Sequence, residues 1–160
     1  MKKIREKVFE TNSSSTHTLS IVNNTLESYL PKGNTLIVRF LDTDKETVLT
    51  TLKDKVSYLV SQIVNQYKWD CLDYEELRTE VERDEDFQRI VTYVKNKFGK
   101  EVKLPYTYEI EDGCLDEIVN INHQIVGITL NEVLEDLICP EHDLLDDVLK
   151  NNVCIEFGRD

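Results

Sequence analysis

The sequence predicts an α+β fold: a small mixed or antiparallel sheet packed against two long helices and two short C-terminal helices. Three observations lead there. Extended, β-branched segments stand at both ends of the chain, two long stretches of helical periodicity fill the middle, and the two kinds of element do not alternate as βαβ units would. The chain has 160 residues, of which 40% are hydrophobic, with only five Gly and three Pro. That is enough apolar material for one folded domain over residues 1–160 and too much for a disordered chain. No linker, repeat or low-complexity tract divides it.

Two extended segments open the chain, Val8 to Glu10 and Thr16 to Val22. The polar block between them suits a hairpin loop. Pro31-Lys32-Gly33-Asn34 is a turn sequence and leads into a strand over Leu36 to Leu41. Thr43-Asp44-Lys45-Glu46 matches a capping box, in which the Thr hydroxyl accepts from a free backbone N–H and the Glu reaches back. From there Val48, Leu52, Val56, Leu59, Ile63 and Tyr67 recur at helical spacing. A second helical region runs from about Tyr74 to Phe98, carrying Leu77, Val81, Phe87, Ile90, Val91 and Val94. The acidic residues at 82 and 84–86 break it in two, and Gly99 stops it.

Val102, Leu104, Tyr106, Tyr108 and Ile110 alternate as a strand, and Pro105 places that strand at a sheet edge. Thr129-x-x-Glu132 opens a short helix through Leu134, Leu137 and Ile138. Pro140 starts another that carries Leu144, Leu145, Val148 and Leu149. Val153 to Phe157 forms the last strand.

Residues 8–17 read Val-Phe-Glu-Thr-Asn-Ser-Ser-Ser-Thr-His. Side chains from Thr11 to Thr16 can all bond to backbone groups, so the block can cap its own loop. It can equally line a pocket for a phosphate or ribose, with His17 as an acid or base near neutral pH. The ligand-binding candidates on this reading are Asn12, Ser14, Ser15 and His17. No Gly-rich phosphate loop, nucleophile elbow or zinc-protease helix accompanies them.

This decapeptide resembles the N-terminal signature of small, largely uncharacterised proteins of Gram-positive bacteria and their phages. Ile121-Asn122-His123-Gln124 resembles a short His-Gln motif later in those proteins. The resemblance implies an intracellular bacterial or phage setting and no particular reaction. If both pieces belong to one site, Asn12, Ser14, His17, His123 and Gln124 converge.

No cofactor motif is present. Cys139-Pro140-Glu141-His142 has the spacing of half a zinc site, but no second paired element follows and Pro140 already makes sense as a helix start. The expectation is therefore no metal. Of the four cysteines none forms a C-x-x-C pair. With no export signal and no apolar run of membrane-spanning length, the expected location is the bacterial cytoplasm, with the thiols free.

Charge is the most lopsided property. There are 19 Lys and Arg against 31 Asp and Glu, a formal net charge of −12. Residues 104–149 contain twelve carboxylates and no Lys or Arg; a second acidic run, 70–86, is relieved only by Arg78 and Arg83. Such surfaces repel nucleic acid and attract basic proteins. Carboxylates spaced along helices can also occupy the phosphate-binding surface of a protein that grips DNA, as a DNA mimic.

The sequence therefore leads to a phage-associated acidic protein that binds and inhibits a basic host protein, nucleic-acid-handling or defence-related. Its expected contacts are Glu132, Glu135, Asp136, Glu141, Asp143, Asp146 and Asp147. The alternative is a nucleotide-binding or phosphate-processing enzyme built on residues 12–17. A third reading makes the acidic face a solubility device and the N-terminal block a simple loop.

Overall fold

A computed structural model describes residues 15–21, 26–43, 48–109, 114–120 and 144–159. Helices and strands are both present, in the α+β arrangement. In chain order they are β1 (Ser15–Ile21), α1 (Leu26–Tyr29), β2 (Thr35–Ile37), β3 (Val48–Leu49), α2 (Leu52–Tyr67), α3 (Tyr74–Arg83) and α4 (Glu85–Phe98). Then come β4 (Glu101–Lys103), a 3₁₀ turn at Leu115–Glu117, α5 (Leu144–Val148) and β5 (Val153–Arg159). The predicted strand over residues 8–10 and helix over 129–138 lie outside the described residues.

Helix α2 is the centre of the molecule. Leu52, Val56, Leu59, Val60, Ile63 and Val64 are buried, and so are Lys55, Ser57 and Ser61, so burial reaches beyond the apolar stripe and leaves Lys53 and Gln66 exposed. The helix begins later than expected. Val48 and Leu49 form β3, and Thr51 caps α2 by accepting from the Asp54 N–H at 3.1 Å. Thr51-x-x-Asp54 repeats the Thr43-x-x-Glu46 pattern eight residues on. Between the two, β-branched Val48, Thr50 and Thr51 favour extended backbone. Thr43 instead gives its backbone N–H and its hydroxyl to the Asn120 carbonyl, at 2.7 and 3.2 Å.

The second helical region does break in two. Asp84 has extended backbone (φ −62°, ψ 134°) and its carboxylate accepts from the N–H groups of Asp86 and Phe87 at 2.9 and 3.0 Å. Its other oxygen accepts from the Tyr67 hydroxyl at 2.7 Å, which ties the α3–α4 break to the end of α2. Asp84→Ala is expected to cost about 2 kcal/mol, the upper range for a lost N-cap, because the tyrosine bond goes as well. Urea unfolding of the variant checks this. Helix α4 buries Phe87, Ile90 and Val94 and ends at Gly99, whose φ of 67° is the left-handed conformation that glycine adopts without penalty.

Two small sheets flank the helices. In one, the order is β1-β5-β3, all antiparallel, with Ser15 opposite Arg159 and Ile21 opposite Val153. Among the described residues β1 thus pairs with the C-terminal strand. In the other, β2 and β4 run parallel, Leu36 opposite Val102. The predicted strand from Val102 stops pairing at Lys103. Pro105 has no N–H to give to a ladder, and beyond it Tyr106 turns out to solvent at 84% exposure. Past β2 the chain stays extended, and α2 takes the place of a neighbouring strand. Arg39 N–H donates to Ser57 Oγ at 3.0 Å, and Leu41 N–H to Ser61 Oγ at 3.1 Å. One helical turn, about 6 Å along the axis for residues four apart, nearly matches the two-residue repeat of a strand.

The core joins all these elements: Tyr29 from α1, Leu36 from β2, Leu49 from β3, Leu77 and Val81 from α3, Val102 from β4, Leu149 beyond α5 and Ile155 from β5. Among the described residues no helix is long and apolar enough to cross a membrane.

Candidate protein-interaction surface

The second acidic run begins at the corner between α2 and α3 and continues along α3 to the α3–α4 break. After Tyr67 the chain turns through Lys68, Trp69, Asp70, Cys71 and Leu72 to Asp73, the N-cap of α3. Each turn is fixed locally. Asp70 N–H donates to the Tyr67 carbonyl at 3.0 Å, Leu72 N–H to Glu76 Oε2 at 2.7 Å, and Glu76 N–H to Asp73 Oδ1 at 2.9 Å. Lys68 is buried under the corner. Its ammonium donates to the Val119 carbonyl at 2.9 Å and lies 4.7 Å from the centre of the Trp69 ring.

Two side chains register the local field. Partial burial pushes the Cys71 thiol up, and the charges of Glu76, Glu80, Asp70 and Asp73 push it further. The Tyr67 phenol is pushed up to about 12, mainly by its bond to Asp84 and by burial, with Glu80 and Asp86 adding to the effect. Four carboxylates therefore act on Cys71 at the corner, and three, from Glu80 and the α3–α4 break, act on Tyr67. The nearby cations are outnumbered and engaged on their own helices: Arg83 with Glu80 at 3.3 Å, Arg78 with Glu82 at 3.8 Å and Arg89 with Asp86 at 3.7 Å.

The other flank of α3 carries aromatic rings. Phe40, Tyr74 and Tyr108 meet with centroids 5.0 to 6.0 Å apart, and Arg78 lies 5.1 Å from the Tyr106 ring centre. Tyr74 donates to the Pro105 carbonyl at 2.6 Å, so this group holds the segment after β4 against the helix.

Of the expected contacts, Glu132, Glu135, Asp136, Glu141 and Asp143 lie outside the described residues. Asp147 is described in its backbone alone, on α5. Asp146 is engaged within the protein. Tyr93 donates to its carboxylate, Lys97 approaches to 3.4 Å, and its carboxyl is held below the usual range by the tyrosine bond and by Lys97 and Lys150. Residues 104–149 hold no Lys or Arg, and Asp146 finds two cations outside them: Lys150, four positions on, and Lys97, brought across space by α4.

Asn12, Ser14, His123 and Gln124 also lie outside the described residues. Ser15 and His17 lie on β1, opposite Arg159 and Phe157, again described in backbone alone. Cys139 and His142 of the half zinc pattern lie outside too. Among the described residues no group of three His, Cys, Asp or Glu is arranged to hold a metal ion.

The charged group that sequence reading missed is Lys55. It is fully buried, and its ammonium donates to the carbonyls of Lys150 and Val153 at 2.6 and 2.9 Å, 4.6 Å from the Tyr29 ring centre. Burial lowers its pKa to about 7, opposed by the nearby Cys154. Its enclosure makes it a clamp on the turn into β5 rather than a group open to a substrate. Position 55 lies on the apolar stripe, three residues after Leu52 and four before Leu59. That placement is a signal that hydropathy alone discards.

No protein family model, curated protein or solved structure gives a significant match to this chain.

Proposed function

We propose that this chain is an acidic binding protein that docks on a basic partner and blocks it. The partner we infer is a nucleic-acid-handling or defence factor of a bacterial host, and the setting is the interior of a cell that carries a phage. One observation carries the reading: the acidic run 70–86 follows α3 from the α2–α3 corner to the α3–α4 break, with Asp70, Asp73, Glu75 and Glu76 exposed at the corner end, where Glu76, Asp70 and Asp73 act on Cys71. A field of that kind steers and holds a cationic surface and repels nucleic acid itself. The resemblance of residues 8–17 contributes the phage and Gram-positive setting. The finer architecture that goes with this reading places a short helix at residues 129–138 ahead of α5, adding Glu132, Glu135 and Asp136 to the anionic surface.

The test is retention of Gram-positive lysate proteins on the immobilised chain at low and high salt. The expected result is a basic DNA-handling protein that elutes with salt and is released from its DNA when the chain is added. The triple variant Asp70→Lys, Glu75→Lys, Glu80→Lys should lower that retention about tenfold or more. Equal retention by the variant and the parent would remove the corner from the interface. Co-purification of a nucleotide lost on His17→Ala would favour the enzyme reading.

A further inference from the structure

The α2–α3 corner carries more than charge. Leu72 is 90% exposed and Trp69 58%, two large apolar side chains three positions apart in a chain that buries most of its leucines. The Trp69 ring and the Leu72 backbone are held in place before any partner arrives. Trp69 sits against the buried Lys68 ammonium, and the Leu72 backbone is fixed by Glu76. Rigid, exposed apolar residues inside a charged rim are the usual form of an interface hot spot, with tryptophan prominent among them. The rim is anionic: exposed Asp70 stands between Trp69 and Leu72, exposed Asp73 follows Leu72, and the exposed Glu76 carboxylate accepts from the Leu72 N–H at 2.7 Å.

We propose that Trp69 and Leu72 are the apolar anchors that receive a cationic amphipathic helix of a partner protein, one whose apolar stripe is bordered by Lys or Arg. This rests on the acidic-binding reading above and adds the place and chemistry of contact. Charge complementarity selects the occupant. A second copy of this chain, with its formal net charge of −12, and an anionic bilayer would both be repelled by the rim. The apolar stripe covers Leu72 and Trp69 while the flanking cations reach the carboxylates.

Trp69 is the chain's single tryptophan, so its fluorescence reports the corner directly. The probe is a synthetic helix of about 18 residues, long enough to hold helical form, made of Leu and Lys with the leucines on one face. A scrambled peptide of the same composition is the control. The amphipathic peptide should bind the full chain, shift Trp69 emission to the blue and bind about tenfold or more tighter than the scrambled one. Leu72→Ser should weaken it about tenfold while its salt dependence stays, and Asp70→Lys should flatten the salt dependence. Both positions are exposed, and unchanged far-ultraviolet circular dichroism confirms that the variants fold. Equal affinity for the two peptides, or binding with Trp69 emission unmoved, overturns the anchors but leaves an acidic binder. Failure of both peptides to bind at low salt overturns the anchors and the acidic-binding reading together.

Discussion

Replacing Lys55 with methionine will abolish a rise in stability that the parent chain shows as pH climbs above neutrality. In the folded chain Lys55 titrates at about 7, and in the unfolded chain at its ordinary 10.5. Between those values the unfolded state holds a proton that the folded state has released, so stability increases with pH across the window. Below about 7 both states are protonated and the full cost of burying the ammonium remains. Across the whole window the gain is on the order of 5 kcal/mol.

Other groups turn the curve down at its alkaline end. Cys71, Tyr29 and Tyr58 all have folded pKa values pushed above their ordinary ones by burial, so they favour the unfolded chain once it can ionise them. The clean comparison is therefore denaturant unfolding of the parent and Lys55→Met between neutrality and about pH 9, where the parent should gain and the variant stay level. The variant also removes the Lys55 donor from the Val153 carbonyl, at a cost of about 1–3 kcal/mol where water does not reach it, whereas the Lys150 carbonyl keeps the Val153 N–H at 3.2 Å. A parent curve that is flat over this range would mean that Lys55 is not enclosed.

The double variant Ser57→Ala, Ser61→Ala is expected to lose about 2–4 kcal/mol, about 1–3 from the buried Leu41 N–H and about 1 from the part-buried Arg39 N–H, both left without acceptors. The hydroxyls contribute little volume, so the loss measures hydrogen bonding rather than a cavity. Domains of this size are stable by only about 5–15 kcal/mol, so thermal unfolding should move down by many degrees. Gln66→Ala, at an exposed position on the same helix, should leave the melting temperature nearly unchanged. Equal melting temperatures for the double variant and the parent would show that the extended segment after β2 does not depend on α2.

What the sequence made legible was local. The apolar spacing of Leu77, Val81, Phe87, Ile90 and Val94 defined α3 and α4, Asp84 divided them and Gly99 ended them, because each signal acts within one turn. The start of α2 was misread because Thr43 and Thr51 head equivalent cap patterns, and only the pairing of Val48 and Leu49 with β5 decides between them. The strand from Val102 was overextended because alternation continues past Pro105 although the ladder cannot. Lys55 was invisible because its partners are backbone carbonyls about a hundred positions away, which no side-chain pattern reveals.

The candidate surface divided in the same way. The acidic run at 70–86 was plain in the sequence, and the structure lays it along α3 from the α2–α3 corner to the α3–α4 break. Trp69 and Leu72 read as ordinary apolar residues until their exposure was known. Asp146 read as an unbalanced charge until α4 brought Lys97 to it.

The antiparallel pairing of β1 with β5 has a consequence for how the molecule is made. During synthesis β1 leaves the ribosome more than a hundred residues before its partner. At typical translation speeds it waits on the order of ten seconds for that partner. In that interval the helical hairpins can form from contacts close in sequence, whereas the sheet is the last part to close. Truncation anywhere before β5 removes the strand that β1 pairs with among the described residues, so a nascent or prematurely terminated product is the form most open to proteolysis and to capture by chaperones.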